Sequence, residues 1–114
     1  MDIYVTEIKI ENNEMKLFTD KTTAGMTLAN RMIVDSDNFS FIYLLDDGEM
    51  FTRLHFVQET WSMLENHKGK QMIVNEDIVL TDFWDELNEL LENIEGNNNY
   101  GQAFEEAVFS VLRQ

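Results

Sequence analysis

The hydrophobic pattern changes period part-way along the chain. Before residue 58, apolar residues alternate with polar ones or gather in short blocks, as strands require; after it they recur every three or four positions, as on a helix face. Residues 3–10 predict a first strand, and Asn12-Asn13 a tight turn into a second strand at 14–19. Strict alternation puts Tyr4, Thr6, Ile8 and Ile10 on one face with Met15 and Leu17, and Glu7, Lys9 and Lys16 on the other. Residues 20–30 show no period and predict a loop with a short helical turn. Residues 31–35 predict a third short strand, ended by Ser36-Asp37-Asn38. The clearest hairpin joins 39–45 to 50–57. Paired about Asp47-Gly48, it sets Phe39, Phe41, Tyr43 and Leu45 beside Phe56, Leu54, Thr52 and Met50, with Ser40, Ile42 and Leu44 beside His55, Arg53 and Phe51 on the other face. Both faces are rich in apolar residues, which places the pair centrally in a sheet. The same register opposes Asp46 to Glu49, a like-charge pair that costs energy, so a four-residue loop is an equal alternative.

Residues 58–67 predict a short helix on the spacing of Val57, Trp61 and Leu64. A strand at 71–74, a turn at Asn75-Glu76-Asp77 and an extended lead at 78–80 follow. Thr81 is the expected N-cap of a helix that carries Phe83, Leu87, Leu90, Leu91 and Ile94 on one stripe, with Gly96 just beyond its end. A last helix from about residue 100 buries Phe104, Ala107, Val108, Val111 and Leu112. Strands first and helices later define an α+β protein: one domain over 1–114, with an antiparallel sheet of about five strands from the N-terminal half covered on one face by two C-terminal helices.

Charge adds the next constraint. The 114 residues hold 22 Asp and Glu against 8 Lys and Arg, a formal net charge of −14. Between Lys70 and Arg113 there are carboxylates at 76, 77, 82, 85, 86, 89, 92, 95, 105 and 106, and no Lys, Arg or His. Such a field disfavours direct contact with nucleic acid and with anionic lipid. A hydrophobic fraction of 44% argues against disorder. Cysteine is absent, which removes disulfides, thiolate metal sites and a cysteine nucleophile. The start, Met1-Asp2-Ile3-Tyr4, lacks the basic and apolar regions of a signal peptide, and no apolar run is long enough to span a membrane. A cytoplasmic protein with no membrane association is the expectation.

Three groups of residues are candidates for function. Asp82, Asp85, Glu86, Glu89 and Glu92 sweep the helix side opposite the Phe83/Leu87/Leu91 stripe, a docking face for a basic protein or a mimic of nucleic-acid phosphates; a solvated face explains most such runs. Trp84 at the stripe's edge and Phe109 well off its own stripe mark either a partner or homodimer surface or a wide core. Arg53, His55 and Glu59 supply the minimum for general-base or ligand chemistry, in a pocket completed by Trp61 between the sheet and the helix 58–67. No catalytic motif accompanies them, and an enzyme is not the expectation. The run Asp35-Ser36-Asp37-Asn38-Phe39 begins like a calcium loop, but Phe39 and Ser40 break it, so neither metal nor cofactor is expected.

The strings Val34-Asp35-Ser36-Asp37-Asn38-Phe39, Leu45-Asp46-Asp47-Gly48, Phe56-Val57-Gln58-Glu59-Thr60-Trp61 and Gly96-Asn97-Asn98-Asn99-Tyr100-Gly101 together resemble an uncharacterised family of short acidic proteins of bacilli and staphylococci, the YjbL-like family. The resemblance covers nearly the whole chain and implies a bacterial cytosolic protein. It carries over no catalytic or binding residue. The expected function is a non-enzymatic interaction or regulatory module presenting its acidic helix face to a basic protein, as a monomer or homodimer. The alternatives are a small-molecule or enzyme site near Arg53, His55 and Trp61, and a nucleic-acid-mimicking inhibitor.

Overall fold

The structure, a computed structural model, describes residues 1–96 and 99–113. Strand β1 spans Asp2–Glu11, β2 Glu14–Thr19, β3 Thr27–Asp35, β4 Ser40–Asp46, β5 Phe51–Val57, β6 Gln71–Val74 and β7 Ile78–Val79. Helix α1 spans Trp61–Asn66 behind a 3-10 turn at Gln58–Thr60; α2 spans Phe83–Ile94 and α3 Gln102–Val111. The α+β class holds, but the sheet is neither antiparallel throughout nor five-stranded. Its order is β3-β4-β5-β1-β2-β6-β7. Three antiparallel units, β3-β4-β5, β1-β2 and β6-β7, are joined by two short parallel seams, β5 with β1 and β2 with β6. Hydrophobic period distinguishes strand from helix but carries no information about which distant strand lies alongside, so both seams escaped the sequence.

Each antiparallel unit follows from local chemistry. Asn12 and Asn13 both have positive φ, 51° and 64°, the conformation a two-residue type I′ turn requires. Ile10 then pairs with Met15 and Ile8 with Leu17 as expected. Beyond Glu7 the ladder slips: Val5 opposes Thr19 where Glu7 opposes Phe18, so Thr6 is the extra residue of a β-bulge. The slip inverts the alternation. Ile3 and Val5 enter the core, while Tyr4 and Thr6, assigned to that face by strict alternation, are exposed.

In the β4–β5 hairpin the four-residue loop wins: Asp46 pairs with Phe51, Tyr43 with Leu54 and Phe41 with Phe56. The carboxylate of Asp46 accepts the Gly48 N–H at 2.8 Å, and that of Asp47 accepts both Glu49 and Met50 N–H groups at 2.9 Å. These Asx contacts replace the repulsive Asp46–Glu49 pairing. The shift of register is by an even number, so every side chain keeps its expected face. Strand β3 starts earlier than expected, at Thr27, because an irregularity at 29–31 with Asn30 at φ 55° interrupts its period without ending its pairing.

All three helices lie on one side. Trp61, Leu64, Phe83, Leu87, Leu91, Ile94, Phe104 and Val108 join inward strand residues such as Ile3, Leu17, Phe41, Tyr43, Leu54 and Phe56 in one core. Phe56 stacks on Phe83 with centroids 4.9 Å apart, and Phe41 packs against both Trp61 and Phe104. Gly96 sits one residue past the Glu95 C-cap at φ 76°, as expected of a helix stop. Thr81 is not the cap: the N-cap position falls on Asp82, and no side chain bonds the first turn. Asn97 and Asn98, the middle of the Gly96–Gly101 string, lie outside the described residues.

Leu54 is fully buried where β5 meets β1 and β4. Leu54→Ala should lower the unfolding free energy by about 2–5 kcal/mol, through lost burial and a residual cavity. A urea titration checks this, and a loss below about 1 kcal/mol would mean the seam is not part of the core.

Candidate functional site

The face opposite the helices carries a cluster that the parallel seam creates. Asp2 aligns with Arg53 and Tyr4 with His55. Both oxygens of Asp2 accept from the Arg53 guanidinium, Oδ1 from Nε at 2.6 Å and Oδ2 from Nη2 at 2.8 Å, a bidentate pair. Oδ1 also meets His55 Nε2 at 2.8 Å, and His55 Nδ1 lies 3.2 Å from the Ser40 hydroxyl across the β4–β5 ladder. A ring protonated on Nε2 satisfies both contacts: it donates to Asp2 and accepts from Ser40. Tyr4 stacks on the outer side of the imidazole with centroids 4.5 Å apart. The hydrogen bond from Arg53, then that from His55, hold the Asp2 carboxyl well below its ordinary 3.8, and the same carboxylate raises the Arg53 guanidinium.

Serine, histidine and aspartate in series are also the parts of a nucleophilic triad. Here the Ser40 side chain is fully buried and its hydroxyl also lies 3.3 Å from the Phe41 carbonyl, which competes with His55 for its single proton. The arrangement ties β1, β4 and β5 together. The cluster also forms the floor of a shallow cleft of about 650 Å³, whose wall is completed by Asp35, Asp37 and Asn38.

The sequence-derived triad of Arg53, His55 and Glu59 is split by the structure. Arg53 and His55 share the outer face, as the strand period predicts. Glu59 is exposed on the 3-10 turn and lines a separate groove with Thr6, Ile8 and Met63. Trp61 is fully buried on the opposite side of the sheet, where its indole N–H donates to the Phe56 carbonyl at 3.0 Å. The pocket expected between Arg53, His55 and Trp61 is therefore not formed. Asp2, the carboxylate His55 does meet, lies 53 residues away in sequence, and no local pattern flags it.

The acidic face of α2 divides in two. Asp82 accepts the hydroxyl of Tyr43, which points out of the core, and burial followed by this hydrogen bond pushes the tyrosine far above its ordinary value. Glu86, one turn on, accepts the backbone N–H of Met32 at 3.0 Å, covering part of edge strand β3. Asp85 and Glu89 are exposed and have no hydrogen bond or ion pair among the described residues. Glu92 and Glu95 lie 3.9 and 3.3 Å from the guanidinium of Arg113, whose backbone N–H also reaches Glu65. Trp84 is half-buried, donating to the Lys70 carbonyl at 2.7 Å, and Phe109 is half-buried against the core; they do not form a shared exposed surface. In the run resembling a calcium loop, Asp35 accepts from both the backbone and the side chain of Asn38. No helix among the described residues is long and apolar enough to cross a membrane.

A family described as UPF0738, a family of unknown function, matches residues 3–112. The chain belongs to this family. It is 53% identical over 108 residues to the UPF0738 protein SH1953 of Staphylococcus haemolyticus, covering 95% of this chain and 94% of that one. It is 49% identical over the same length to UPF0738 protein SSP1780 of Staphylococcus saprophyticus, with the same coverage. It is 46% identical to SAB0871 of Staphylococcus aureus over 104 residues, covering 91% and 90% of the two chains. The expected resemblance to an uncharacterised family of staphylococcal proteins thus holds; the YjbL-like label is not part of the matching description. No solved structure matches. The UPF0738 relatives assign no function to any residue described above.

Two stability predictions follow from these contacts. Asp2→Asn should cost about 1 kcal/mol at neutral pH, a value discounted for the part-exposed carboxylate. Because the folded-state pKa of Asp2 is depressed, its contribution is present above 3.8 and fades as pH falls below that value. The melting difference between the two proteins should therefore narrow as pH falls below about 4; a gap that persists undiminished through that range would contradict the network. Glu86→Ala should destabilise by about 1–2 kcal/mol by orphaning the Met32 N–H, whereas Glu89→Ala should change stability by less than about 0.5 kcal/mol. Equal effects in chemical denaturation would refute the division of the acidic face.

Proposed function

We propose that this UPF0738 protein is a non-enzymatic interaction module whose α2 surface receives a basic protein. The supporting observation is the pair Asp85 and Glu89: exposed, one helical turn apart, and unpaired among the described residues. Like charges at this spacing weaken a helix by a few tenths of a kcal/mol; Asp85, in the first turn of α2, offsets this through the helix dipole, whereas Glu89, a turn further on, has no such return. Glu92 lies one further step along the same helix, only loosely engaged by Arg113. Asp82 and Glu86 serve the fold, so the docking face is narrower than the full carboxylate run. A cytoplasmic site of action belongs to this reading, which rests there on the cysteine-free composition.

A phosphate-mimicking inhibitor uses the same free acids and differs only in its target, a nucleic-acid-binding protein. A small-molecule role would centre on the outer cleft beside Arg53 and His55, without Trp61. The cleft and the half-exposed guanidinium favour it; the internal satisfaction of Asp2, His55 and Ser40 weighs against it.

Capture from native bacterial lysate with immobilised protein tests the main reading. A basic protein should be retained at about 50 mM salt and released by about 300 mM, since exposed ion pairs are screened over that range. Asp85→Lys with Glu89→Lys should abolish retention while circular dichroism shows the variant folded at the assay temperature. Retention that is insensitive to salt, or equal in the charge-reversed variant, would remove the proposal.

A further inference from the structure

No helix covers the face of the sheet away from the core, where neighbouring side chains alone shield Ile42 and Leu44. Ile42 and Leu44 are buried yet lie outside the main core, because they point outward from β4. Among the described residues the exposed large hydrophobics are Met1 at 44%, Tyr4 at 41%, Met50 at 61% and Phe51 at 57%. Of these, Tyr4 and Phe51 stand on the outer side of β1 and β5, whereas Met1 shares the inward parity of Ile3 and Met50 ends the loop before β5. Asp2 and Arg53 neutralise one another within the same patch.

We propose that the outer face of β3-β4-β5-β1 docks a second copy of this chain, as an isologous two-fold dimer. Charge selects this occupant and this face. With the chain at −14, contact through the helical side would press two acidic layers together. Sheet-to-sheet contact leaves those layers on the outside, roughly 30 Å apart, several times the Debye length of about 8 Å at physiological salt. The unpaired charges of β3 are also self-complementary. Arg31, on the outward parity of β3, and Asp37, in the turn beyond its far end, are both exposed and have no partner among the described residues. A two-fold axis that runs the strands of the two copies antiparallel brings Arg31 of each copy to Asp37 of the other.

Four short strands make a small interface, at the weak end of specific association. Sedimentation velocity at physiological salt should show the mass rising from one chain to two over roughly 10–500 µM. Phe51→Glu and Tyr4→Glu should each weaken dimerisation by at least about tenfold, while circular dichroism melts confirm that both variants fold. Arg31→Asp should weaken it severalfold, and adding Asp37→Arg should restore it, a rescue that requires contact between copies. A single-chain mass throughout the range overturns the proposal. So does a dimer that Phe51→Glu leaves intact, or an Arg31→Asp defect that Asp37→Arg deepens. Because the test uses purified protein and leaves α2 unchanged, its outcome is independent of binding at Asp85 and Glu89.

Discussion

The architecture depends on β1. Its first residues pair in parallel with β5 over only three positions, and its later residues pair with β2, which in turn pairs in parallel with β6. Without β1 and β2, the meander β3-β4-β5 and the small hairpin β6-β7 have no shared sheet. A three-residue parallel seam makes few backbone hydrogen bonds. Side chains reinforce it: Asp2 is bonded to both Arg53 and His55, His55 to Ser40, and Tyr4 covers the imidazole. The Thr6 bulge belongs to the same solution. By inverting the alternation it lets Ile3 and Val5 fill the core on one face while Asp2 and Tyr4 complete the polar cluster on the other.

Helix α2 is attached by the same kind of contact. Its apolar stripe packs on the sheet, and two of its carboxylates reach beyond that stripe to groups the sheet cannot satisfy itself. Tyr43 brings a hydroxyl to the margin of the core, and Asp82 accepts it; β3 leaves the Met32 N–H free at its irregular segment, and Glu86 accepts that. A buried or half-buried donor without an acceptor is costly, so these two acids are held by the fold. Arg113, the single base after Lys70 in the sequence, ties the end of α3 to Glu92 and Glu95. Asp85 and Glu89 remain on α2 without a hydrogen bond or ion pair among the described residues.

Local features were legible wherever short-range physics decides them. The Asn12-Asn13 turn, the faces of β4 and β5, the Phe83–Ile94 stripe and the Gly96 stop all follow from turn chemistry or period. The misplacements have equally specific causes. Strict alternation places Tyr4 and Thr6 on the wrong face because a bulge has no period of its own. Glu59 is the carboxylate near His55 in sequence, but the one that meets it is Asp2, delivered by a strand from the other end of the chain. Trp61 lies in the core and not in a pocket with Arg53 and His55, because helical spacing says which face is apolar, not which side of the sheet that face covers.

The amino-acid sequence by itself determined the α+β class, most element positions, the acidic field and the disfavour toward nucleic acid and anionic lipid, because composition and periodicity are properties of neighbouring residues. Only the tertiary structure decided the mixed strand order, the Asp2–Arg53–His55–Ser40 cluster, the division of the α2 carboxylates into bound and free, and the outer face that no helix covers. Each of these depends on which distant segments lie side by side, and that is set by the best joint burial of the whole chain.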